Sequence, residues 1–110
     1  MNREFIHTTV FDKQWKALGL GDDELAELQN TLSHDPKVVP VIPGASGVRK
    51  VRFAYGNKGK SGSVRVLYLD VDKVSIIVLI SAYSKNEKEN ISESEKADIR
   101  ALADKLKNKF

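Results

Sequence analysis

Residues 44–68, GASGVRKVRFAYGNKGKSGSVRVLY, read as two strands joined by a basic, glycine-rich turn, and the rest of the chain frames them. Successive strand side chains point to opposite sides, so Val48, Lys50 and Arg52 share one face while Arg49, Val51 and Phe53 share the other. In the returning run Ser63, Arg65, Leu67 and Leu69 fall on one face, and Val64, Val66 and Tyr68 on the other. This alternation predicts a hairpin with one cationic face, on which Arg65 meets Lys50 and Arg52 from the neighbouring strand.

Working outward, 110 residues suit a single domain, 1–110, with one modest core built around one sheet. The composition, 41% hydrophobic and 30% charged, belongs to an ordered chain rather than a disordered one. Cysteine is absent, which excludes a disulfide framework and a thiolate metal site and suits a reducing cytoplasm. The longest apolar run, 74–82, is too short for a membrane-spanning helix, and residues 1–5 lack the apolar core of a secretory signal. A cytoplasmic chain with no membrane partner is therefore expected. The net charge of +3 is unevenly spread: −3 over 1–43, +5 over 44–73 and +1 over 74–110. Such local basic density favours phosphate-bearing partners, although an exposed lysine-rich hairpin also aids solubility and blocks edge pairing.

Along the chain, residues 4–7 suit an edge strand. Thr8 and Thr9 stand as caps ahead of Val10, Phe11, Trp15 and Leu18, a helical stripe that Gly19 closes. Leu25, Leu28 and Leu32 mark a second amphipathic helix over 24–33, with Asp22, Asp23 and Glu24 at the positive end of its dipole. His34, Asp35 and Pro36 end that helix, and residues 38–43, with Pro40 and Pro43, make an extended connection to the basic hairpin. Residues 70–73 link it to a strand over 74–83, apolar on both faces and so central. Ser92 and Glu95 have capping-box spacing before a last helix whose stripe is Ile99, Leu102, Ala103 and Leu106. The order β-α-α-β-β-β-α describes a small α+β domain with an antiparallel-rich sheet, an N-terminal helical hairpin on one side and a C-terminal helix.

The two histidines, His7 and His34, lack ligand spacing, so no metal site and no cofactor are expected. Residues 56–61 join strands and lack phosphate-loop spacing. What remains is a cluster of cations with tyrosines. Ribonucleolytic cleavage runs on such groups, because the ribose 2′-hydroxyl is itself the nucleophile. The protein must then hold the backbone in line, help remove a proton and stabilise charge on phosphate. Arginine clamps phosphate through its planar fork, and Tyr55, Tyr68 or Tyr83 is available to stack on a base, with core packing the stronger reading for Tyr68.

GVRKVRFA at 47–54, the KGKSG turn at 58–62, VRVLY at 64–68 and AYSKNE at 82–87, followed by an amphipathic helix, together resemble the RelE/ParE superfamily of bacterial toxins, most of all its HigB-type branch. The resemblance implies a RelE-like fold and a toxin of a type II toxin–antitoxin pair. Its activity would be that of a metal-independent mRNA endoribonuclease, acting in RelE-like members on messenger in the ribosomal A site. The implied partners are messenger and ribosomal RNA and a cognate helix-turn-helix, HigA-like antitoxin, through which alone operator DNA is reached. Lys50 and Arg52 fall where the family carries two strand lysines, and Arg65 falls on its strand arginine. Asn86 stands where RelE itself has a further arginine, and residues 87–92 lack the tyrosine with which RelE stacks a base. The expected roles are phosphate stabilisation by Arg65, proton transfer assisted by Lys50 or Arg52, and a remaining contact from Tyr83 or Lys85. Arg49, Lys58, Lys60 and Asn86 are expected to bind RNA.

Two other functions fit the same residues. A ParE-type toxin inhibits DNA gyrase, and a non-catalytic module binds RNA and leaves it intact.

Overall fold

Each helix begins where the sequence supplies a cap. In the computed structural model, which describes residues 3–54, 64–85 and 90–110, Thr8 Oγ1 accepts the Phe11 N–H at 2.9 Å and starts α1, Thr9–Ala17. Gly19, at φ +79°, takes the left-handed conformation that ends it. Helix α2, Asp22–His34, opens on three acids, with the Gly21 N–H donated to Glu24 Oε1 at 2.7 Å. Helix α3, Glu93–Lys109, carries the expected capping box: the Ser92 N–H reaches Glu95 Oε1 at 2.9 Å, and the Glu95 N–H reaches Ser92 Oγ at 3.1 Å.

Among the described residues the strands β1, Glu4–His7, β2, Arg49–Phe53, β3, Val64–Val71, and β4, Ile76–Ser84, form one sheet in the order β1-β4-β3-β2. β1 runs parallel to β4, and the other two pairings are antiparallel. This is the α+β arrangement expected, with the apolar strand inside the sheet.

Two apolar layers flank the sheet. On one side Phe11, Trp15, Leu28 and Leu32 of the helical hairpin pack on Val51, Val66, Tyr68, Ile77 and Leu79. On the other, Ala103 with Ile99, Leu102 and Leu106 of α3 covers Leu67, Leu69, Val78 and Ile80. Burying both faces of β3 and β4 makes them the rigid centre on which the site is carried.

Two local expectations are corrected. Val10 is 55% exposed rather than part of the α1 stripe, because Phe11 and Trp15, four residues apart, define the buried direction and Val10 lies about 100° away from it. The link after β3 is also not over 70–73. The strand continues to Val71, a single 3₁₀ turn spans Asp72–Val74, and Ser75 at φ +56° reverses the chain.

Candidate nucleic-acid interface

Cross-strand register decides which cations act together. Arg52 on β2 stands opposite Arg65 on β3, and Arg65 stands opposite Tyr83 on β4. Directly opposed residues share a face and lie about 5 Å apart at Cβ, so these three form one row across three strands. Lys50 sits two residues before Arg52 on that face, opposite Leu67. The row occupies the side of the sheet that α3 covers elsewhere: Leu67 and Tyr83 belong to the α3 layer, while Arg52 is exposed. Opposing guanidiniums cost a sheet stability, and an anionic group bridging them offsets that repulsion.

Tyr83 is 1% exposed. Burial raises its pKa, the Arg65 charge opposes that rise, and Glu95 adds to it. The phenol is therefore a neutral hydrogen-bond donor over the working pH range. Its ring face is not offered to a base, which corrects the stacking role, and Tyr68 is excluded from stacking likewise. Tyr68 is wholly buried on the opposite side of β3, with its hydroxyl donated to the Pro36 carbonyl at 2.9 Å. Lys85 follows β4 directly and is exposed.

Arg49 does not join the group. Alternation turns it to the helical-hairpin side, where its guanidinium donates to the Val39 carbonyl and its charge acts on Tyr68. Tyr55, Lys58, Lys60 and Asn86 lie outside the described residues. His7 and His34 have structural partners: His7 lies between Asp12 and Gln29, each at 3.1 Å, and His34 Nδ1 is 2.8 Å from the Asn30 carbonyl.

The sequence reading missed how Tyr83 reaches this face. Tyr68 pairs with Leu79 but Leu67 pairs with Ser81, which leaves Ile80 as one extra residue in β4. This β-bulge reverses the phase of everything after it. Gln14 of α1 is attached to the bulge, its Oε1 accepting the Ala82 N–H at 2.8 Å and the Ser81 hydroxyl at 3.1 Å.

A cleft of about 350 Å³ also borders β4, between α1 and α3, but Glu95 and Asp98 line it and none of Lys50, Arg52 or Arg65 does. Its acids oppose a phosphate backbone. The open cationic row suits an extended polyanion better.

Residues 4–109 match the family described as the RelE toxin of the RelE / RelB toxin-antitoxin system. The chain belongs to the RelE toxin family. Solved structures agree with this at the level of fold. Escherichia coli RelE in the free state, as a double arginine-to-alanine mutant, is 17% identical over 81% of this chain and 90% of its own, with a TM-score of 0.59. The intact E. coli RelBE toxin–antitoxin complex matches at 16% identity over 74% of this chain and 95% of that chain, TM-score 0.53. The same RelE mutant in complex with an antitoxin RelBc peptide matches at 15% identity over 84% and 98%, TM-score 0.51. This RelE-family toxin is thus one half of a toxin–antitoxin system. Among its described residues no helix is long and apolar enough to cross a membrane.

Proposed function

We propose that this toxin is an mRNA endoribonuclease that halts translation by cleaving messenger, in the manner of a ribosome-dependent A-site enzyme. The observation that carries the reading is the Arg52–Arg65–Tyr83 row, with Lys50 beside it on the same face. RNA supplies its own nucleophile. The 2′-hydroxyl oxygen attacks the adjacent phosphorus, its proton passes to a base assisted by Lys50 or Arg52, and the P–O5′ bond breaks. The 5′-oxygen takes up a proton, leaving a 2′,3′-cyclic phosphate and a 5′-hydroxyl.

Arg65 neutralises the charge gathering on the non-bridging oxygens, where a pre-set donor is worth most. Of the two candidates for the last contact, the exposed Lys85 reaches the RNA, and the buried Tyr83 backs Arg65 from within the α3 layer. Because side chains provide all of this charge, cleavage is metal-independent and survives a chelator. Lys58, Lys60 and Asn86 are assigned to contacts with messenger or ribosomal RNA. The Tyr-x-Lys-Asn-Glu sequence at 83–87 supports a HigB-type toxin held by a HigA-like helix-turn-helix antitoxin in the cytoplasm.

Induction in cells, followed by mapping of messenger 5′ ends beside a gyrase supercoiling assay, tests the reading. New 5′ ends inside open reading frames with normal supercoiling are expected. Inhibited gyrase with intact messenger would make the chain a ParE-like toxin, and tight RNA binding without new ends would make it a non-catalytic module.

A further inference from the structure

Strict alternation along β4 would put Tyr83 on the wrong side. Ile77 and Leu79 face the helical hairpin, and Val78 and Ile80 face α3. Continued without interruption, that pattern sends residue 83 to the hairpin side, away from Arg65. The extra residue at Ile80 prevents this: Ala82 enters the hairpin layer and Tyr83 enters the α3 layer opposite Arg65.

A bulge needs partners for the backbone groups it displaces from the ladder. Here they come from outside the sheet, because β1 ends at His7 opposite Leu79 and pairs no further along β4. Thr8 Oγ1 donates to the Ile80 carbonyl at 2.7 Å, and Gln14 Oε1 accepts from Ala82 N and Ser81 Oγ. Thr8 also caps α1, so its loss would damage the helix as well. Gln14 has no such second duty among the described contacts: it projects from the middle of α1 and supplies the acceptor that a neighbouring strand would otherwise present.

We propose that Gln14 is a positioning residue for the nuclease site, holding the β4 bulge that brings Tyr83 into register with Arg65. This rests on the reading above, that the Arg52–Arg65–Tyr83 row carries out RNA cleavage. Gln14 lies on α1, whereas Lys50, Arg52, Arg65 and Tyr83 lie on strands, and it is not itself a substrate contact. Its effect passes through two hydrogen bonds and the phase of one strand. Without the acceptor, the segment from Ser81 to Ser84 loses its anchor to α1, and the phenol drifts from Arg65. Lys50 and Arg52, on the far strand β2, keep their places and their grip on the backbone.

Two substitutions of similar length separate the acceptor from mere packing. Gln14→Met keeps the volume and helix propensity but removes the acceptor, whereas Gln14→Glu keeps an acceptor oxygen. For Gln14→Met, amide exchange at Ala82 is expected to quicken about tenfold. Its kcat for RNA cleavage should fall about ten- to a hundredfold, the scale of a misplaced catalytic group. KM should stay within about twofold, and Gln14→Glu should restore both exchange protection and kcat. A Gln14→Met protein with wild-type Ala82 protection and wild-type kcat overturns the proposal. So does one whose kcat loss Gln14→Glu fails to reverse while Ala82 protection returns. Failure of the underlying reading looks different: the wild-type chain itself then leaves RNA intact, and the positioning role in cleavage falls with it.

Discussion

Arg65 and Tyr83 face each other across β3 and β4, and the arginine's charge opposes the burial that raises the tyrosine's pKa. The pair joins a cation from a partly open surface to a neutral donor within the core. Arg65→Ala should therefore lower cleavage about 10²- to 10³-fold, the usual cost of removing one pre-set charge-stabilising donor. Arg65→Lys should recover only part, since a point charge replaces a two-pronged one. Single-turnover cleavage by folded variants measures both.

Tyr83→Phe deletes the hydroxyl and keeps the ring that fills the α3 layer. It should lower kcat about tenfold with a stability change near 1 kcal/mol. Because the pKa of Tyr83 is raised, the phenol holds its proton beyond its ordinary value of 10.0. The wild-type pH–rate profile should then show no loss from this group below about pH 10. Tyr83→Ala, by contrast, opens a cavity and should cost about 3–5 kcal/mol in chemical denaturation.

Tyr68 sets a limit on alkaline stability. Burial pushes its pKa up to about 12, with Arg49 pulling the other way. The folded-state value thus lies above the unfolded one. The stability it contributes is whole below about pH 10 and is lost as pH rises toward about 12, amounting to roughly 2–3 kcal/mol. Tyr68→Phe should flatten that alkaline limb in urea titrations. At neutral pH it should cost about 1 kcal/mol through the lost bond to Pro36.

Asp70 governs the acid side. Burial acts to raise its pKa, but hydrogen bonds and charge from Arg3 and Lys37 outweigh it and hold the carboxyl below its usual range. Arg3 Nε lies 2.8 Å from Asp70 Oδ1, and Arg3 also reaches Asp72 at 2.8 Å, tying the start of the chain to the end of β3. With the folded pKa depressed, this contribution is full above the unfolded value near pH 4 and disappears as pH falls through the folded one. Asp70→Asn should destabilise by about 3 kcal/mol at pH 7, because Arg3 keeps only part of its compensation, and should flatten the acid limb.

Much of this was legible in the chain, and for local reasons. Two-residue alternation from Val48 to Phe53 and from Val64 to Leu69 assigned Lys50, Arg52 and Arg65 to one face, and the structure agrees. The same alternation turned Arg49 away, so its place among the RNA-binding candidates stood against the pattern that grouped the others. The bulge was not legible. Residues 76–80 are apolar on both faces, so no polar residue marks the phase, and the groups that hold the irregularity lie more than sixty positions earlier, at Thr8 and Gln14. Nor does a sequence distinguish a tyrosine that stacks on a base from one that is buried. Tyr83 falls in the second class because α3 returns across the sheet after β4 has ended.

The most direct measurement needs only the wild-type toxin and a chemically altered substrate. After the cleavage site in a messenger is mapped, the nucleotide bearing the attacking 2′-hydroxyl is replaced by its 2′-deoxy analogue. If the cationic row works by guiding that hydroxyl onto the neighbouring phosphate, the all-ribose messenger is cut to give a 5′-hydroxyl end and the substituted one stays whole at that position. Equal cutting of both messengers would contradict the central claim.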